Sequence, residues 1–105
     1  MNKAKRYDFT DDQGAIIHSQ IWIDCPGCGI THGLCIFNTS PGPLWGWNGS
    51  LESPTFTPSL LCNGDYPESR CHSFITDGKI QFLSDCYHSL AGQTVELPEY
   101  DQQVP

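Results

Sequence analysis

The stretch Cys25-Pro26-Gly27-Cys28-Gly29 decides how the rest of the chain is read. Two cysteines three apart, with Pro and Gly between them and Gly directly after, suit a tight knuckle. Such a turn points both thiolates at one ion while backbone N–H groups approach the sulfurs. Thiolates combined with imidazole nitrogens in a closed tetrahedron favour zinc. Two ligands do not hold a structural ion, so the others must arrive from elsewhere in the chain. The residues available are His32, the Cys71-His72 pair and the Asp85-Cys86-Tyr87-His88 cluster.

A chain of 105 residues is one domain by size. A domain this small buries only about two-thirds of the surface its unfolded chain exposes. Apolar residues make up 38% of it, so the core is thin and a metal staple would supply much of its stability. Six cysteines also allow a disulfide framework. However, the basic start at residues 1–6 leads into Tyr7-Asp8-Phe9-Thr10-Asp11-Asp12, not into an apolar signal core. A reducing cytoplasm is therefore expected, and there such cysteines bind metal or react instead of pairing. No run approaches the ~20 apolar residues of a membrane helix. The net charge of −7 leaves no basic face for phosphates, so nucleic-acid and anionic-membrane partners are disfavoured.

Ten glycines and eight prolines are spread so that no long helical window survives. Strands are predicted at residues 7–10, at 15–24 entering the knuckle and at 31–38 leaving it, so that the knuckle caps a hairpin. Residues 52–61, with Pro54 and Pro58, read as an edge strand or an ordered loop. The clearest hairpin pairs residues 72–76 with 79–84 around the turn Asp77-Gly78. A two-residue loop there puts Thr76 opposite Lys79, Ile75 opposite Ile80 and Phe74 opposite Gln81. One face then carries Cys71, Ser73, Ile75, Ile80 and Phe82; the other carries His72 and Asp85 as diagonal neighbours within hydrogen-bonding reach. A last strand is placed at 95–97, and residues 1–6 and 98–105 are expected to be loose termini. The fold class that follows is all-β: a small single-domain meander or partly closed barrel with a zinc knuckle.

Cys25 and Cys28 are the strong metal pair, and Cys71, at a strand start, is the third ligand. For the fourth, His32 can fold back from four residues past Cys28, while His72 or His88 can come from the hairpin. Adjacent strand residues point to opposite faces, so Cys71 and His72 do different jobs. Cys35 and Cys62 sit among apolar neighbours and read as small core residues; a histidine such as His18 is more often a hydrogen-bonded surface group. With Cys25, Cys28, His32 and Cys71 set aside as ligands, Ser59, His72, Asp85 and His88 remain for catalysis. A serine needs a base, and the base needs a third group to fix its tautomer. His72 or His88 fits the first role and Asp85 the second, although spacing alone supports this weakly. Three other readings compete: a zinc hydroxide with Glu52 or Asp85 as base, a Cys86 nucleophile beside His88, and a binding surface built on Trp45 and Trp47.

The ordered set Cys25-Pro26-Gly27-Cys28-Gly29, His32, Trp47-Asn48-Gly49, Pro54-Thr55-Phe56-Thr57-Pro58-Ser59-Leu60, Cys71-His72-Ser73-Phe74-Ile75-Thr76-Asp77-Gly78, Asp85-Cys86-Tyr87-His88 and Leu90-Ala91-Gly92-Gln93-Thr94-Val95 is more specific than any one motif. It resembles a family of small phage and bacterial proteins long left as a domain of unknown function and often mislabelled ammonia monooxygenase. Members resembling this chain lie beside bacterial ubiquitin-like conjugation genes. The resemblance implies a serine-type peptidase that processes or removes a ubiquitin-like modifier. It further implies Ser59 as nucleophile, a relay through His72 or His88 with Asp85, and a structural zinc at the Cys25/Cys28 site. The alternative expectation is a non-catalytic zinc-ribbon-like module that binds a protein partner.

Overall fold

Residues 2–100, which the computed structural model describes, contain eight β-strands and no helix. Strands β1 (Ala4–Thr10), β2 (Ile16–Asp24) and β3 (Thr31–Asn38) form one antiparallel sheet in chain order. Strands β4 (Gly46–Trp47), β5 (Phe56–Cys62), β6 (Cys71–Thr76), β7 (Lys79–Phe82) and β8 (Thr94–Glu96) form a second, also in chain order. The expected all-β meander is thus present as two open sheets, not as a closed barrel. No described helix is long and apolar enough to cross a membrane.

The alternation of side chains builds one core from both sheets. Ile21, Ile23 and Leu34 from the first meet Phe56, Leu60, Cys71, Ile75, Ile80 and Phe82 from the second, all buried. In β2 the inward parity is kept by Ser19, Ile21 and Ile23, while Ile17 at the strand start is exposed. A bulge between Ser19 and Gln20 in the β2–β3 pairing coincides with that change.

The β6–β7 hairpin has the register its turn dictates: Thr76 opposite Lys79, Ile75 opposite Ile80, Phe74 opposite Gln81. Asp77 and Gly78 have φ of 50° and 76°, the left-handed pair that a type I′ hairpin turn requires. Cys71, Ser73 and Ile75 are consequently buried, while His72, Phe74 and Thr76 face outward.

Strand β5 is not the expected edge strand or ordered loop but an interior strand, hydrogen-bonded to the very short β4 on one side and to β6 on the other, despite Pro58. Leu60 pairs with Ser73 and Phe56 with Ile75, so Thr57, Pro58 and Ser59 together oppose the single residue Phe74. A proline has no N–H for the ladder, and a bulge is where a sheet tolerates one.

The N-terminus departs from expectation. Residues 4–6 open β1 instead of trailing loose, because Leu51 O accepts hydrogen bonds from the N–H groups of Lys3 and Ala4, and Ala4 is buried. The last strand starts one residue early, at Thr94, and Leu97 is buried with its N–H on Gly78 O. Tyr100 N–H bonds Asn2 O at 2.9 Å, tying residue 100 to the start of the chain; residues 101–105 of the expected loose tail lie outside the described residues.

Candidate functional site

The knuckle closes between β2 and β3 through Cys25 N–H to Ile30 O and Gly29 N–H to Cys25 O, both 2.9 Å. Cys28 N–H approaches Cys25 Sγ at 3.4 Å, the N–H···S contact such a turn supplies. His32 enters one residue into β3 and Cys71 at the first position of β6. The donor atoms of Cys25, Cys28, His32 and Cys71 all lie within 4.8 Å of one another.

These four residues fit a bound ion. All six cysteines are free thiols, so none of the sulfurs is used in a disulfide. His32 is 7% exposed, and its Nε2 is buried without a hydrogen-bond partner. A buried polar atom left unpaired costs about 1–3 kcal/mol, a cost that a metal bond removes. Its other nitrogen, Nδ1, is 3.6 Å from Cys62 Sγ, which steadies the ring.

Electrostatics in the cluster point the same way. The hydrogen bond with Cys71 holds the Cys25 thiol well below the usual range, against burial; the same bond, with burial, pushes Cys71 upward. Burial opposes charge on His32, yet the neighbouring Cys25 and Cys62 sulfurs raise its pKa to about 10. Protons are thus shared among groups that a cation would displace them from.

On the outer face of the second sheet, three residues form a hydrogen-bonded chain. His72 Nε2 is 3.1 Å from Ser59 Oγ, and His72 Nδ1 is 3.3 Å from Asp85 Oδ2. Ser59 comes from the bulged part of β5, His72 from β6 and Asp85 from the segment after β7. Register explains the meeting: His72 pairs with Leu61, so Ser59, two residues before Leu61, is its diagonal neighbour on the same face. The side chains of His72 and Asp85 are 24% and 40% exposed, so the chain of hydrogen bonds opens to solvent. With Asp85 accepting from Nδ1–H, Nε2 presents its lone pair to the serine hydroxyl, the arrangement of a nucleophile, a base and an orienting acid.

Two residues whose part the sequence did not show hold this chain in place. The Cys86 thiol accepts from His72 N–H at 3.2 Å and donates to His72 O at 3.1 Å. Cys86 thus braces the His72 backbone from both its N–H and its carbonyl. Trp45 Nε1–H donates to Ser59 O at 3.3 Å, and its own N–H donates to Cys35 O in the other sheet. Neither contact has a local sequence signal, since both join residues 14 or 10 positions apart through tertiary packing. Replacing Cys86 with Ala is expected to leave His72 N–H unpaired and to cost about 1–3 kcal/mol of stability. Thermal unfolding at saturating metal checks this; an unchanged midpoint would show that the thiol braces nothing.

The structure does not bring His88 to Ser59. His88 lies on the metal side, with Nε2 3.6 Å from Cys71 Sγ and its ring edge-on to Phe82 at 4.4 Å between centroids. Its ring occupies the space where a Gly27 side chain would be: a Cβ there would fall 2.2 Å from His88 Cε1. That close approach is why the knuckle needs glycine at position 27. Cys71, Cys86 and His88 form a second group with donors within 4.8 Å, but Cys71 belongs to the first cluster and Cys86 is engaged by His72. Glu52 is exposed and belongs to neither group. Trp45 and Trp47 are half-buried against the core, with Trp47 Nε1–H on Ser50 O at 3.0 Å. His18 bonds the Gln20 side chain at 2.8 Å, as a surface histidine does.

A sequence profile of the family described as "BubE: Bacterial ubiquitination-like system serine protease" matches residues 2–83. No curated protein and no solved structure matches the chain.

Proposed function

We propose, starting from the fact that this chain belongs to the BubE family of bacterial ubiquitination-like system serine proteases, that it is a serine peptidase cutting a protein tail or isopeptide bond of a ubiquitin-like partner. The observation that carries this reading is the Ser59–His72–Asp85 hydrogen-bond chain, 3.1 and 3.3 Å long, on an open sheet face. Ser59 Oγ attacks the scissile carbonyl while His72 Nε2 takes the hydroxyl proton. His72 then gives that proton to the leaving amine, and an acyl-serine remains. Water attacks the acyl-serine, His72 takes its proton and returns it to Ser59 Oγ, and the carboxylic product departs. Asp85 keeps the imidazole in the productive tautomer and stabilises the imidazolium formed in each half.

Zinc is the ion that three thiolates and one imidazole favour, and Cys25, Cys28, His32 and Cys71 would hold it as a closed structural centre. It would join the knuckle to the first residue of β6, one position before the base. The half-buried, inward-bonded indoles of Trp45 and Trp47 weigh against the alternative of a non-catalytic binding module centred on them.

Intact mass after treatment with a broad fluorophosphonate tests the proposal. The native protein should carry one zinc and the denatured protein one adduct. Ser59→Ala should lose the adduct and lower peptidase turnover by at least about 10⁴-fold, with metal content unchanged. Turnover that survives this substitution would sink the serine mechanism.

A further inference from the structure

We infer that Leu61 and Phe74 are subsites flanking Ser59, so that the substrate is a polypeptide with apolar, uncharged side chains on both sides of the bond that is cut. This rests on the serine-peptidase reading and specifies its substrate class.

The outward positions of β5 and β6 define a small square. Leu61 pairs with His72 across the strands, and the bulged segment ending at Ser59 lies opposite Phe74. Ser59 and His72 occupy one diagonal and are hydrogen-bonded along it at 3.1 Å. Leu61 and Phe74 occupy the other diagonal, 51% and 43% exposed. A carbonyl carbon within reach of Ser59 Oγ must lie over the first diagonal, and the chain running away from it on either side passes over the second.

The two apolar side chains have defined neighbours. Leu61 leans over Gly64, where an added Cβ would meet Leu61 Cδ2 at 2.8 Å, and Phe74 stands opposite Gln81 on β7. Exposed apolar groups on a monomer mark a binding surface when they adjoin a reactive one. The occupant is specified further by charge. Asp85 is 40% exposed beside His72, and the whole chain carries −7, so an acidic residue next to the scissile bond would be repelled.

Two fluorophosphonates of equal reactive group, one with a decyl tail and one with a tri(ethylene glycol) tail, separate this proposal from the reading beneath it. In each labelling, the Ser59 Oγ–P bond forms, fluoride leaves and His72 takes the hydroxyl proton. The readout is the ratio of labelling rates, decyl over glycol, which partial burial of an apolar tail should set near tenfold in the unaltered protein. The ratio should fall in Leu61→Ser and in Phe74→Ser and approach one in the double variant. Gly64→Ala, which pushes on Leu61 without removing it, should also lower it. Phe37→Ser, an exposed position on β3 in the other sheet, should leave the ratio at its original value. A ratio near one in the unaltered protein, or one unchanged in the double variant, would overturn the subsites while leaving the nucleophile intact. Failure of both probes to label Ser59 would overturn the serine reading, and the subsites with it.

Discussion

Cys25→Ser or Cys28→Ser should yield a chain that no longer unfolds cooperatively, and stripping the metal from the unaltered protein with a strong chelator should do the same. The magnitudes decide this. A structural zinc centre contributes about 10–16 kcal/mol of apparent binding free energy, whereas a domain of this size holds only about 5–15 kcal/mol in total. The sulfur of Cys25 is buried within the common core, so a serine hydroxyl there would also be an unpartnered polar group. Circular dichroism through a thermal ramp, with metal content measured on the same sample, reads the effect. A Cys28→Ser protein that melts like the unaltered one would show that the ion does not hold the fold.

The second large effect concerns His72. His72→Ala should lower kcat/KM by at least about 10⁴-fold, and Asp85→Asn by about 10²–10⁴-fold, since an amide at that position favours the wrong imidazole tautomer. Neither change should alter metal content, because the His72 side chain leaves β6 on the face opposite Cys71. The loss should fall on kcat more than on KM, since neither group binds the ground state strongly. Steady-state kinetics beside metal analysis would check both halves. A His72→Ala enzyme with ordinary turnover would remove the proposed base.

Much of the site is local enough to be legible in the residues. Asp77-Gly78 fixes a two-residue turn, the turn fixes the register, and the register sends Cys71 inward and His72 outward. From there Asp85 is within reach of His72 by counting alone. Cys25, Cys28 and His32 lie within eight residues, so their convergence is likewise a matter of one turn. What was not legible depends on parts distant in sequence. His88 and His72 look alike as bases until the fold puts one against Cys71 and the other against Ser59. Cys62 reads as a small core residue and Cys86 as a possible nucleophile, yet the first contacts the His32 ring and the second braces the His72 backbone. The division into two open sheets depends on buried residues of both, Leu34 and Phe82 among them, sharing one core, which no local pattern encodes.

The neighbouring positions of Cys71 and His72 carry a consequence for how such a chain can change over generations. Inserting one residue between Cys71 and His72 would set both on one face of β6, so a single event would misplace either the ligand or the base. The segment from 63 to 70, an exposed turn-rich connection before β6, can lengthen or shorten without touching either. Relatives of this protein should therefore differ in length ahead of Cys71 and keep Cys71 and His72 adjacent. The two halves of the molecule's chemistry cannot drift apart, because they are inherited as adjacent letters on one strand.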